Sequence, residues 1–153
     1  MAEIVIATAS ASSAEALLLQ DELSGVLQQL SGDSGRASFD AEAPDERGGF
    51  YIARGSDGVL LGCAALRPLG KTDSATAELK RMFARPGFAG VGAALLMHAE
   101  GQARQLGYRA VYLSTRVVNA RAVAFYRKHG YAPVEPWGKY VGAAQSVCLG
   151  KLL

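Results

Sequence analysis

Three segments follow one another between residues 77 and 106. An apolar run, Ala77–Ala84, leads into the glycine-rich Arg85-Pro86-Gly87-Phe88-Ala89-Gly90-Val91-Gly92, and an Ala- and Leu-rich helical stretch, Ala93–Leu106, follows. Gly107 is the natural stop of that helix, and Arg109–Thr115 reads as the next strand. A strand–turn–helix–strand unit needs a sheet with helices packed on it. It also sets a helix N-terminus, with unpaired amides and the positive end of its dipole, beside a turn where backbone can be approached closely. That combination suits a phosphate or pyrophosphate. The same glycines would serve equally well to ease a strand–helix corner.

The flanking sequence extends the sheet. Ile4–Ala7 is a short first strand. Ser12-Ser13-Ala14-Glu15 fits a capping box with Ser12 as N-cap, ahead of a helix over Ser13–Leu30. Ser31–Gly49 has no period and reads as a loop carrying Asp40, Glu42, Asp45 and Glu46, a solvated segment or the mouth of a site for cations. Phe50–Arg54 and Val59–Leu66 flank Gly55-Ser56-Asp57-Gly58, a hairpin signal. Asn119 caps a helix over Ala120–His129 that Gly130 ends, and Tyr131–Val134 and Ser146–Leu149 are the last strands. The expectation is an α/β (α+β) chain, residues 1–153 as a single domain, with one mixed, mostly antiparallel sheet and helices on both faces.

Two nucleotide-binding patterns fail on the glycine-rich turn. A P-loop needs Gly-Lys-Ser/Thr at the end of the turn, where Gly92 is followed by Ala93-Ala94. A dinucleotide fingerprint needs a third glycine where Leu95 stands, and an acid where Ala110-Val111-Tyr112-Leu113 lies.

Composition excludes other classes. Sixteen Lys and Arg against fourteen Asp and Glu leave a net charge of +2, too little for a nucleic-acid or anionic-membrane footprint. No apolar run reaches the ~20 residues of a membrane span. Residues Met1–Ala7 lack the basic start of a signal peptide, so the expected location is cytoplasmic. Cys63 and Cys148 are far apart with no CxxC, and His98 and His129 are the only histidines, so neither a disulfide framework nor a metal site is expected.

Taken with the downstream sequence, the turn resembles the GCN5-related N-acetyltransferase (GNAT) family. The resemblance is carried by Glu78-Leu-Lys-Arg-Met-Phe-Ala-Arg-Pro86, then Gly90-Val-Gly-Ala-Ala-Leu-Leu96. It closes with Asn119-Ala-Arg-Ala-Val-Ala-Phe-Tyr-Arg-Lys-His-Gly-Tyr131. The family's loop pattern is Gln/Arg-x-x-Gly-x-Gly/Ala. Ala89–Ala94 matches it at Gly92 and Ala94, with Ala89 in place of the Gln or Arg.

The resemblance implies acetyl-coenzyme A as cosubstrate and no metal. The coenzyme pyrophosphate would lie on the amides of Ala89, Gly90, Val91, Gly92, Ala93 and Ala94. Losing the Gln/Arg side chain implies weaker binding, since the backbone donors stay. Asn119, an N-cap in its own right, would also bond the pantetheine arm. A backbone amide near Met82, Phe83 and Ala84 would polarise the thioester carbonyl, and splay of that strand from Tyr112–Thr115 would open the slot for the arm.

Acetyl transfer to an amine needs a neutral amine, a polarised carbonyl and a protonated leaving thiolate. Tyr126, the tyrosine of the Phe-Tyr pair, is implied as the acid beside the coenzyme sulfur, and a phenol stays protonated at neutral pH. Glu78 is the candidate base, or a strand glutamate paired with Lys80 or Arg81. Arg67 is a strand-end arginine that could meet a substrate carboxylate or simply be solvated. His98, Cys63 and Cys148 read as packed residues. The acceptor would be a primary amine of a small molecule or peptide, in a pocket shaped by Ser13–Gly49 and Trp137–Gln145, with Trp137 and Tyr140 as lining. A homodimer through a terminal strand is a further expectation from the family. The other reading is a non-catalytic sensor domain that binds an acyl-coenzyme A without turnover.

Overall fold

The computed structural model describes residues 3–39, 46–70 and 75–153. The elements run β1 (Ile4–Ala9), α1 (Ala14–Ser31), β2 (Gly49–Gly55), β3 (Leu60–Pro68), β4 (Thr76–Ala84), α2 (Val91–Gln105), β5 (Ala110–Arg116), α3 (Ala120–Lys128), β6 (Ala132–Pro133) and β7 (Ser146–Leu152). One sheet holds all seven strands in the order β1-β2-β3-β4-β5-β7-β6. Among the described residues only β4 and β5 are parallel, because α2 carries the chain back to the starting end of the sheet. The mixed, mostly antiparallel sheet is the one expected from the sequence.

The two faces separate along β2. Tyr51 and Ala53 join α2 residues Val91, Leu95, Leu96, Ala99 and Ala103 in one buried cluster. Phe50 and Ile52 point the other way, to Ala16, Leu19 and Leu23 of α1. Alternation along a strand requires this split, and it places helices on both faces. Cys63 and Cys148 are buried free thiols, as their strand positions imply. Among the described residues no helix is long and apolar enough to cross a membrane.

Several boundaries move. The N-cap of α1 is Ser13, not Ser12: its Oγ accepts from the Ala16 amide at 3.2 Å. Ser12 belongs to the preceding turn, its hydroxyl 3.0 Å from that of Ser10, and Glu15 pairs with Arg54 instead of closing a capping box. Gly25 does not interrupt α1. Helix α2 starts at Val91, two residues early, because Gly90 caps it from the left-handed region at φ 80°. The strand expected over Tyr131–Val134 pairs only at Ala132 and Pro133. Of the loop acids, Asp40, Glu42 and Asp45 lie outside the described residues, and Glu46 is exposed.

Two irregularities in β3 and β4 shape the site. Cys63 faces Phe83 and Ala65 faces Lys80, so Ala64 alone opposes both Arg81 and Met82. This is a β-bulge, and Arg81 takes it at φ 51°. Nearby, a Cβ on Gly62 would lie 2.3 Å from the Phe83 carbonyl oxygen. Only glycine lets the two backbones come so close.

Candidate active site

Strands β4 and β5 pair only through Thr76–Ala110, Ala77–Val111 and Glu78–Tyr112. Beyond that they part, and a cleft of about 430 Å³ opens between them. Its walls include Lys80, Arg81 and Met82 of β4, Ser114 and Thr115 of β5, and Asn119 and Tyr126 at α3. The end of α1 and the turn after it close one side through Leu27, Ser31 and Asp33, and Lys139, Tyr140 and Ala143 close another. The splay expected between β4 and Tyr112–Thr115 is therefore present. So is the contribution of the two segments expected to shape a pocket.

The bulge is held from outside. The Arg81 guanidinium is buried and donates to Ser24 Oγ at 2.6 Å, to the Gln20 carbonyl at 2.8 Å and to the Ser34 carbonyl at 3.3 Å. On the strand itself, Cys63 Sγ donates to the Arg81 carbonyl at 3.3 Å. Burial pushes the Cys63 thiol up to about 12, so it remains a thiol and a donor. The backbone of β4 that passes the cleft is thus fixed by α1 on one face and by β3 on the sheet.

Tyr126 is buried with its ring edge-on to Phe125 and to Tyr131, at centroid distances of 5.2 and 5.7 Å. Its hydroxyl makes no hydrogen bond among the described residues, and the residue lines the cleft. Burial pushes its pKa well above that of an ordinary phenol. It stays protonated, as a proton donor must. Neighbouring Tyr131 is spent differently: its hydroxyl donates to Glu100 at 2.9 Å, where Lys151 also binds.

Glu78 is 2% exposed but does not line the cleft. Its main partner is neither Lys80 nor Arg81 but Arg67, directly across the β3–β4 register, whose Nε donates to Oε1 at 2.9 Å. Arg67 is therefore no free strand end. Lys80 Nζ lies 3.8 Å from Oε2, which has no hydrogen-bond partner among the described residues. Lys80 lines the cleft, as Glu78 does not. Its Nζ donates to the Tyr140 hydroxyl at 3.0 Å. Burial lowers its pKa to about 8, against the opposing pull of Glu78. Sequence reasoning passed over Lys80, though a lysine inside an apolar strand was the available signal. Tyr140 lines the cleft as expected. Trp137 stands behind it, 5.4 Å from the Tyr140 ring and 5.8 Å from that of Tyr112.

The glycine-rich turn fits an anionic group. Gly90 offers no capping side chain, and among the described residues the amides of Val91, Gly92 and Ala93 have no backbone acceptor. The first intrahelical bond is that of the Ala94 amide to the Gly90 carbonyl at 3.0 Å. Ala89 and Gly90 are exposed, so the donors of the first turn are approachable. Asn119 Oδ1 caps α3 through the Ala122 amide at 3.4 Å, while its Nδ2 makes no hydrogen bond among the described residues. Both readings of Asn119 remain served. Among the described residues no cluster of His, Cys, Asp and Glu could hold a metal.

Comparison with known proteins places this arrangement. Residues 17–131 match the model of the acetyltransferase (GNAT) family, and the chain belongs to that family. It is 40% identical over 99 residues to an IAA acetyltransferase of Azospirillum brasilense, covering 63% of this chain and 61% of that one. The chain thus spans about three fifths of that curated relative. A candidate acyl-CoA N-acyltransferase from Klebsiella pneumoniae superposes with a TM-score of 0.83 at 24% identity, over 98% of this chain and 97% of the other. A GNAT family acetyltransferase from Elizabethkingia anophelis with acetyl-CoA bound gives 0.67 at 18% identity, over 98% of both chains. At those identities the two structures speak for the fold.

Proposed function

We propose that the chain is an acetyl-CoA-dependent N-acetyltransferase that moves acetyl to a primary amine of a small molecule or peptide by direct attack on the thioester. The observation that carries this reading is the cleft itself: two strands part, and at the gap stands a buried, protonated tyrosine whose hydroxyl has no partner among the described residues. The relative's name adds an acetyltransferase acting on a small molecule to what supports it.

In this reading the amides of Ala89–Ala94 hold the coenzyme pyrophosphate and Asn119 Nδ2 meets the pantetheine arm. Backbone of Met82, Phe83 and Ala84 faces the carbonyl. Acetyl-CoA supplies the activated acyl group. Tyr126 donates its proton to the departing sulfur, and the carbonyl carbon passes to the amine nitrogen. Glu78 supplies the negative charge for the amine proton. Since it does not line the cleft, it acts across Lys80. The acceptor lies toward Asp33, Lys139 and Tyr140.

The test is calorimetric titration with acetyl-CoA, with NADH and ATP as controls, followed by a screen of primary amines for thiol release. Saturable binding of acetyl-CoA alone and release with an amine are the expected results. No binding at millimolar concentration would sink the reading. Ala89 favours a second reading, a sensor that binds acyl-CoA without turnover. That protein would bind and release no thiol with any amine.

A further inference from the structure

We propose that Lys80 is a self-acetylation site: its side-chain nitrogen occupies the acceptor side of the cleft and takes acetyl from bound acetyl-CoA. The inference rests on the coenzyme reading above.

The argument starts from burial. Among the described residues Lys80 is the one buried lysine, 9% exposed, and it belongs to the cleft wall with Met82 and Tyr126. A lysine so placed is held by few hydrogen bonds: the Tyr140 hydroxyl at 3.0 Å, and the Glu78 carboxylate only at 3.8 Å. The groups around it oppose each other. Glu78 on β4 favours the ammonium. Arg67 on β3, Arg81 on β4 and desolvation favour the neutral amine, which forms at about pH 8. Lys139, on the turn that carries Tyr140, brings a further positive charge 5.5 Å from the same ring. A neutral primary amine is the nucleophile that acetyl transfer consumes.

The second half is the orphan atom. Among the described residues Glu78 Oε2 is buried and without a hydrogen-bond partner, and it is the carboxylate oxygen that faces Lys80 Nζ, at 3.8 Å. A buried acceptor left unpaired is costly. Here it is placed to receive the proton that the nitrogen sheds. The neutral nitrogen attacks the thioester carbonyl carbon, the N–C bond forms and the C–S bond breaks. The nitrogen proton goes to Glu78, the Tyr126 proton goes to the sulfur, and solvent exchange restores both groups. The products are Nε-acetyl-Lys80 and free coenzyme A. Acetylation deletes one positive charge from the wall and fills the acceptor side with an acetyl group, so the modified chain is closed to amines.

The test has two arms. In the ligand-free protein, the 13Cε resonance of Lys80, assigned by its loss in Lys80→Arg, is titrated by NMR. A midpoint near 8 is expected, well below the ~10.4 of ordinary lysines, and an ordinary midpoint would overturn the proposal. In the second arm the protein is incubated with acetyl-CoA and no amine, and its peptides are mapped by mass spectrometry. The expected result is an acetyl group on Lys80 at least tenfold faster than on exposed Lys128. The rate rises up to about pH 8 and levels off, and Tyr126→Phe slows it at least tenfold. An unmodified Lys80 in protein shown by calorimetry to bind acetyl-CoA overturns the proposal and leaves the coenzyme reading standing. Failure of calorimetric binding would sink both.

Discussion

The Arg81 guanidinium donates to the Ser24 hydroxyl at 2.6 Å, joining the bulge of β4 to the middle of α1. Arg81, a non-glycine residue in the left-handed region, thus also has its side chain bound to the opposing helix. Replacing Arg81 by Met removes a charged donor from Ser24 and from two carbonyls while leaving the unfavourable φ in place. The expected loss is ~2–4 kcal/mol by chemical denaturation. Ser24→Ala removes one acceptor only and is expected to cost about 1 kcal/mol.

Tyr126→Phe separates chemistry from packing. The ring keeps its contacts with Phe125 and Tyr131, and the lost hydroxyl has no partner among the described residues. Stability is expected to change by less than about 0.5 kcal/mol. Thiol release with a turned-over amine is expected to fall by ~10²-fold or more, the usual share of a positioned acid. An unchanged rate would remove Tyr126 from the mechanism.

Gly90 tests the anion site. It caps α2 at φ 80° with open space around the missing side chain, so Gly90→Ala adds strain without a clash. A cost of about 1–2 kcal/mol is expected. Part of it is expected as weaker acetyl-CoA binding by calorimetry, because the first-turn amides move with the cap. Gly62→Ala is the contrasting case. There the added carbon collides with the Phe83 carbonyl, and the expected outcome is a chain that loses stability before any question of binding arises.

His98 gives the fold an acid sensitivity. Its ring lies edge-on to Tyr51 at 5.0 Å, its Nε2 is buried without a partner among the described residues, and burial lowers its pKa. The folded chain therefore holds it neutral, while the unfolded chain takes up a proton below about pH 6.5. Stability is complete above that value and declines as pH falls toward the folded pKa. Between about pH 7.5 and about pH 5 the melting temperature of His98→Leu is expected to drop less than that of the parent. An equal drop would assign the sensitivity elsewhere.

Sheet, helix order and the glycine-rich turn were legible because each rests on a local signal: apolar runs, Asn119 and Gly107 at helix ends, the Asp57-Gly58 hairpin. Tyr126 could be singled out only through the Phe125-Tyr126 resemblance, since nothing local marks its hydroxyl as unpartnered. The role of Arg67 was not legible. Its partner Glu78 lies eleven residues away, and only the β3–β4 register brings them opposite. The same holds for Arg81, where the bulge and the links to α1 arise from tertiary packing. Ser12 and Ser13 show the usual limit of a local signal: both can cap, and the turn at Ser10 decides between them.

The three residue pairs that join β4 to β5 have a consequence for how changes in this chain will be felt. They act as a fulcrum, with the arms of the two strands reaching past it on either side of the gap. Substitutions at Thr76, Ala77, Ala110 and Val111 alter the angle between the arms, and so register at the cleft without touching it. Substitutions on the arms change what the gap holds and leave the angle alone. A sequence library scored for both folding and turnover would divide at the Glu78–Tyr112 pair, the last before the strands part.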